Sequence, residues 1–179
     1  MKITKDKNVY KKTGGFTLVE TLVYISLVGG AMISFINFTI SISNSRNKVY
    51  VEQEVQANAR MALNLISQTI KSAASVNVAS STFSVDPGVL SLSMNEAAGN
   101  PIIINLTEDD GLLQIKKGVS PEILITGDEI KITNLVFTDL TASSTKENIK
   151  IEITLEYMED ESVFYKYSTD LQTSVSLRQ

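Results

Sequence analysis

The sequence predicts an α+β protein, with one long N-terminal helix packed on a C-terminal antiparallel β-sheet domain. Two observations support this fold class. Residues 16–74 contain no proline and only the adjacent pair Gly29 and Gly30, which is typical of a long helix. All three prolines lie after residue 75, where short β-rich runs alternate with turn residues. We expect the helix to run from about Phe16 to about Ala74.

The first part of this helix, residues 16–45, has the composition of a membrane span. No charged residue occurs from Thr21 to Ser45, and Leu22 to Ile42 is mostly apolar. A bilayer core of about 30 Å needs roughly 20 helical residues, so this run is long enough to cross. Recurring Ser and Asn side chains also suit packing against other helices.

Residues 46–75 continue the helix with one apolar face. The apolar residues follow steps of three and four, whereas most of the charged residues lie off that stripe. We expect the stripe to pack on the β-sheet. Its members are Val55, Ala59, Ala62, Ile66, Ile70 and Ala73, widened by Leu63.

Residues 76–179 predict an outward-facing β-rich domain. The clearest strand holds four apolar residues at alternate positions from Ile149 to Leu155, which indicates one buried and one solvated face. It forms a predicted hairpin with the last strand, through the acidic turn 158–161. The predicted strands are Val89 to Met94, Ile102 to Leu106, Leu112 to Lys116, Ile123 to Thr126, Ile132 to Leu140, Ile149 to Leu155, and Val163 to Leu177 with a bend or break near Asp170.

Composition excludes several functions. The chain has no cysteine and no histidine, which removes disulfides, thiol nucleophiles, Cys/His zinc sites and His-based triads. Serine and threonine lack a base, so we expect no catalytic residue, no cofactor and no enzyme activity. The turn from Glu108 to Gly111 lacks the alternating ligand spacing of a calcium loop, so an exposed turn is the simpler interpretation and no metal site is expected.

Charge is concentrated at the N-terminus. The first fifteen residues carry five lysines, including Lys11 and Lys12, against one acidic residue. Without this segment, 11 basic and 19 acidic residues remain, a net charge of −8. An acidic chain argues against direct nucleic-acid binding. Lysines beside an apolar run keep the N-terminus in the cytoplasm and place the C-terminal domain outside.

Glu20 is an unusual residue for a membrane segment. A carboxylate in hydrocarbon costs at least a few kcal/mol, so it marks a functional site and needs a partner. The predicted helix holds no cation close to it. Cleavage after Gly15 would create an α-amino group on Phe16, and a neighbouring chain could offer that amine to Glu20.

The string Gly15-Phe16-Thr17-Leu18-Val19-Glu20, after Lys11 and Lys12, resembles the class III signal of type IV prepilins and pseudopilins. The resemblance implies a leader, residues 1–15, that a prepilin peptidase/methyltransferase removes. Phe16 would become the methylated N-terminus, and Glu20 the carboxylate that guides assembly. Asn37 stands where many pilins carry proline, and Gly29-Gly30 implies either a helix bend or a close-packing surface.

Looser similarities favour a minor subunit of the PilW or J-type pseudopilin group, and they lie in Asn58 to Leu63, in Ile132 to Phe137 and in Ser176 to Arg178. The implied partners are other pilin or pseudopilin subunits, the inner-membrane assembly machinery, and the lipid bilayer before assembly. The implied location is the cytoplasmic membrane, followed by an extracellular or periplasmic filament. In the secretion family the tip subunit lacks this carboxylate, so the resemblance together with Glu20 implies a position below another subunit rather than at the tip.

Other interpretations remain open from the sequence. The N-terminus has features of a secretory signal cut near Ser41-Ile42-Ser43, or of an uncleaved single-pass anchor. The filament could be a type IV pilus, a type II secretion pseudopilus or a competence (DNA-uptake) filament. A membrane-anchored binding or adhesion module that never polymerises is the alternative from a different class.

Overall fold

A computed structural model describes residues 14–96, 99–141, 146–158 and 166–178. It shows one long α-helix and antiparallel β-sheets, as the sequence predicts. The chain divides into two compact units between Ser43 and Asn44. The helix α1 is Leu18–Ser72, and the strands are β1 Ser75–Val76, β2 Leu90–Ser93, β3 Ile102–Leu106, β4 Leu113–Lys117, β5 Ile123–Leu124, β6 Ile130–Asp139, β7 Asn148–Tyr157 and β8 Ser168–Ser176.

In the first unit, α1 exposes nearly all of its side chains and is long and apolar enough to cross a membrane. Its helical hydrogen bonding continues through Gly29 and Gly30. The hydroxyls of Ser26, Ser34 and Thr39 each donate to the carbonyl four residues earlier, at 2.9–3.0 Å. Because these hydroxyls are satisfied within the helix, they cost little in a lipid environment.

In the second unit, α1 packs one face against the sheets. The predicted stripe is confirmed, because each of its six members is at most 2% exposed. Leu63 is partly buried beside them. The face also contains Asn58, whose Oδ1 accepts a hydrogen bond from the Gly127 amide at 3.3 Å, and whose Nδ2 donates to the Glu54 carboxylate at 2.9 Å. These bonds satisfy a polar group that burial would otherwise penalise.

The strands form two sheets rather than a single one. The first has five strands in the order β1-β2-β3-β4-β5, and the second has three in the order β6-β7-β8, all antiparallel. The first sheet ends at β5, which has only two residues, both exposed. After it, the chain turns at Gly127 and begins the second sheet.

Backbone contacts connect the two sheets. The Gly88 amide donates to the Leu135 carbonyl at 2.7 Å, and the Ile132 amide donates to the Gly111 carbonyl at 2.9 Å. One hydrophobic core therefore includes side chains from both sheets and from α1. Apolar burial of this kind supplies about 25 cal/mol per Å² and is the main source of stability in a domain without disulfides.

The three-stranded sheet shows how local patterning sets register. In β7 the four alternating apolar residues are 0–1% exposed, as predicted. Its opposite face is half-buried rather than fully solvated, because β7 is the central strand. In β6 the pairing shifts between Ile132 and Asn134, so Thr133 is the extra residue of a β-bulge. The bulge keeps Ile132 and Leu135 both buried.

Two expectations need correction. The predicted break near Asp170 is wrong: Asp170 pairs with Thr154 in a register that runs without interruption from Ser168 to Ser176. A single polar residue on the exposed face of a strand does not interrupt the ladder. Strand β1 was missed, because its two residues form a strand only through pairing with Leu92 and Ser93.

Several predicted features lie outside the described residues. These are Lys11, Lys12 and the rest of the leader up to residue 13, most of the Ser/Thr-rich loop at 142–145, the acidic residues 159–161, and the first residues of the predicted last strand, 163–165.

Candidate functional site

The candidate site is the start of α1, where Thr17 caps the helix. The Glu20 amide donates to the Thr17 hydroxyl at 3.2 Å, and the helix begins at Leu18. A Thr three residues before a Glu is the capping-box pattern, in which the side chain of the cap satisfies a free amide of the first turn. The helix therefore begins two residues after the Gly15–Phe16 bond.

The Gly15–Phe16 peptide bond lies in a non-helical, exposed segment. Gly14, Gly15, Phe16 and Thr17 are all exposed, and Phe16 is 84% exposed. A methyl group added at Gly14 or Gly15 would meet no atom within 4 Å. The chain's own packing therefore does not require glycine at either position, and any such requirement would come from a protein that binds this segment.

Glu20 lies in the first turn of α1, beside a groove of about 390 Å³ lined by Phe16, Glu20, Thr21 and Tyr24. Glu20 and Tyr24 are four residues apart in α1, so they project toward one side of the helix, and Phe16, just before the helix, lines the same groove. No hydrogen bond or ion pair is formed by the Glu20 carboxylate with any residue that the structure describes. The carboxylate is thus open to a partner.

The helix dipole at this position favours the negative charge of Glu20. It does not offset the free-energy cost of placing a carboxylate in lipid. The positive end of a helix dipole stabilises an acidic residue in the first turn by about 0.3–1 kcal/mol. Insertion of a carboxylate into the membrane centre costs about 2.5–3.5 kcal/mol. Glu20 lies at the start of the apolar helix rather than at its centre, so its own cost is below this value and within what a charge-assisted hydrogen bond to an amine, about 1.5–3 kcal/mol, can offset.

Two residues at this site were not singled out by the sequence analysis. Thr17 could have been recognised from the Thr-x-x-Glu spacing before an apolar helix. Tyr24 could have been recognised from its position four residues after Glu20. The structure brings Phe16 and Glu20 to the same groove, whereas Lys11 and Lys12 lie outside the described residues.

The turn from Glu108 to Gly111 is confirmed as an exposed turn, between β3 and β4. Gly111 has φ +64°, and the Thr107 amide closes the turn on the Leu112 carbonyl at 2.9 Å. In the part of the chain that the structure describes, no group of three or more acidic side chains is arranged to hold a metal ion.

Replacing Thr17 tests the cap directly. Thr17→Val should cost about 0.5–2 kcal/mol of first-turn stability, because the Glu20 amide loses its acceptor. Amide hydrogen exchange by NMR on the full chain in detergent should show faster exchange at residue 20. Thr17→Ser retains the acceptor and should exchange like the parent, as should the mid-helix control Thr39→Val. Unchanged exchange in Thr17→Val would contradict the cap.

Comparison with known proteins gives no family assignment: no family model, curated protein or solved structure matches this chain.

Proposed function

We propose that this chain is a minor subunit of a type IV pilus or of a related secretion or competence filament. A prepilin peptidase cuts it after Gly15 and methylates the new N-terminus at Phe16. The apolar first unit of α1 anchors the chain in the membrane and later packs among the helices of other subunits. Glu20 pairs with the Phe16 amine of a neighbouring subunit during assembly, and the β-rich unit faces outward.

One observation carries this proposal. The cap at Thr17 starts the helix just after an exposed Gly15–Phe16 bond, and the single charge of the following apolar segment lies in its first turn. Cutting that bond would place a new amine at the same end of the helix as the carboxylate. The resemblance to the prepilin signal rests on the same residues, so geometry and motif support one role.

Mass spectrometry of the mature N-terminus tests the proposal. The chain isolated from its own membrane should begin at Phe16 and carry one added methyl group. A chain that begins at Asn44 would instead support a secretory signal, and one that retains residues 1–15 would support an uncleaved anchor. A methylated chain that never enters a filament would support the membrane-anchored binding module.

Gly15→Leu should block leader removal, whereas Gly14→Ala should have little effect. A Cβ atom at residue 15 meets no atom within 4 Å and the segment is exposed, so a loss of cleavage reports on the fit to the peptidase. A peptidase pocket built for glycine should reject the larger residue by about tenfold or more in rate. The mass of the mature protein measures this, and normal removal from Gly15→Leu would contradict the assignment of Gly15.

A further inference from the structure

The last strand, β8, forms one side of the three-stranded sheet. Within that sheet it pairs with β7 alone, in a register that runs without interruption from Ser168 to Ser176. Just after β8, the Leu177 amide donates to the Glu147 carbonyl at 3.0 Å. Because the bonded side alternates along an antiparallel strand, the odd-numbered residues of β8 bond to β7, and the main-chain groups of its even-numbered residues point away from β7.

The outward main-chain groups of β8 are open to a partner strand. None of them forms a hydrogen bond with a residue in the described ranges. Proteins usually blunt such an edge with proline, lysine or a bulge, because it is a template for another strand. Strand β8 has none of these, and its single charged residue is Asp170. We define the β8 edge as the outward side of five exposed residues, Ser168, Asp170, Gln172, Ser174 and Ser176.

The other edges of the two sheets are covered or short. Along β6, the chain before β2 occupies the outer side, where the Ser84 amide donates to the Phe137 carbonyl at 2.8 Å. At β1, the Val76 amide donates to the Glu147 carboxylate at 2.8 Å. Strand β5 has only two residues. The fold thus protects its other edges and leaves the nine-residue strand β8 open.

The core face of the sheet is incompletely buried at β8. Leu171 is half-buried, although Ile153, its direct partner on β7, is 1% exposed. Thr169 and Thr173, on either side of Leu171 along the same face, are also half-buried. A strand added at the β8 edge would place its own side chains beside Leu171 and remove more apolar surface from water. The segment that fits here therefore has apolar residues at alternate positions.

A polar groove of about 450 Å³ on the three-stranded sheet adds a charge requirement. The Glu152 carboxylate pairs with the Lys150 ammonium at 2.8 Å, whereas the Asp170 carboxylate has no partner among the described residues. A basic side chain on an added strand would lie beside Asp170 and neutralise its charge. The polar side chains that line the groove are Asn134, Glu152, Thr154, Asp170 and Gln172.

We propose that the β8 edge binds an extended segment of a different protein, which adds a fourth strand to this sheet. The segment alternates apolar with polar residues and carries arginine or lysine opposite Asp170. Main-chain hydrogen bonds supply the affinity, and the groove supplies the specificity. A second copy of β8 fits less well, because antiparallel pairing over all nine residues sets Asp170 opposite Ser174. The inference goes beyond the proposed function and is compatible with it, since a minor subunit has neighbours of other kinds.

A synthetic peptide of the same length as β8 tests the proposal. It alternates threonine with valine and carries arginine opposite Asp170 in the antiparallel register. Two of its valines are N-methylated, because their amides point away from β8 and their methylation limits pairing between peptides. The control peptide carries its two N-methyl groups on threonines, whose amides would bond to β8. Fluorescence anisotropy of each labelled peptide measures binding to the full chain in detergent.

The test peptide should bind at least about tenfold more tightly than the control peptide, because the control loses two interstrand hydrogen bonds. Amide hydrogen exchange by NMR should slow at the even-numbered residues of β8, whereas the odd-numbered ones are already bonded to β7. Ser174→Pro removes an outward amide but no bond to β7, so it should abolish binding, and Ser174→Thr should bind like the parent. Equal binding of the two peptides, or slowed exchange without alternation, would overturn the proposal.

Asp170→Asn should weaken binding of the test peptide about twofold to fivefold, which is typical of an exposed ion pair. Asp128→Asn removes an exposed carboxylate outside the groove and should have no effect. Equal binding by both variants would overturn the charge requirement. If the even-numbered amides are protected in concentrated chain alone, a second copy occupies the edge and the assignment to a different protein is wrong. None of these measurements needs leader removal or Glu20, so their failure leaves the proposed function standing.

Discussion

Glu20→Ala is expected to leave leader removal intact and to reduce incorporation into filaments by about tenfold to a hundredfold. The carboxylate lies four residues after Phe16, the residue that follows the proposed cut, and it has no partner among the described residues. Losing a charge-assisted hydrogen bond to the neighbouring Phe16 amine would cost about 1.5–3 kcal/mol, which corresponds to this change in an equilibrium constant. Comparing the membrane and filament fractions by immunoblot, with mass spectrometry of the N-terminus, measures both quantities.

Glu20→Gln separates the charge of the side chain from its size. Glutamine has nearly the same shape as glutamate but lacks the negative charge, and the bond from the residue 20 amide to the Thr17 hydroxyl is retained. We expect Glu20→Gln to assemble as poorly as Glu20→Ala while keeping the amide protection of the first turn. Glu52→Ala, on the same helix but in the second unit, is the control for loss of a carboxylate, because its partner Gln56 also donates to the Tyr167 hydroxyl. Normal assembly of Glu20→Gln would contradict the ion-pair role.

The helix and its buried face could be predicted from the sequence because helical periodicity is a local signal. All six residues of the predicted stripe are buried, since steps of three and four place them on one side whatever they pack against. The alternation in β7 was equally informative, with Ile149 and Leu155 at 1% and 0% exposed. The α+β fold class is confirmed for this reason.

Features that depend on distant partners were not predictable in this way. Strand β1 exists only because Ser75 and Val76 meet β2, and the division into two sheets depends on which edges pair. Asn58 lies on a helix face that the sequence predicts to be apolar. It can be buried there because the Gly127 amide, 69 residues away, donates a hydrogen bond to its side chain. Neither spacing nor composition carries this information.

At the candidate site, the sequence predicted a cut after Gly15 and a functional carboxylate at Glu20 but not the geometry between them. The motif alone indicated Gly15, Phe16 and Glu20. It did not show that Thr17 ends the extended segment and starts the helix, although the Thr-x-x-Glu pattern was present.

Gly111→Ala is expected to destabilise the β-rich unit by about 2–5 kcal/mol. Gly111 has φ +64°, a conformation that costs a residue with a side chain about 1–2 kcal/mol. The added methyl would also lie 2.8 Å from the Ile132 carbonyl oxygen, at the point where the two sheets are joined by a backbone hydrogen bond. Overpacking against a backbone atom typically costs a further 1–3 kcal/mol, roughly.

Urea unfolding of the full chain in detergent, followed by far-ultraviolet circular dichroism of the β-sheet signal, measures this loss. Gly127→Ala is the matched control, because a methyl there meets no atom within 4 Å and its φ is not in the left-handed region. It should stay within about 0.5 kcal/mol of the parent. If Gly111→Ala unfolds at the same urea concentration as Gly127→Ala, the turn can move away from β6. The hydrogen bond between the Ile132 amide and the Gly111 carbonyl would then not be required to hold the two sheets in one core.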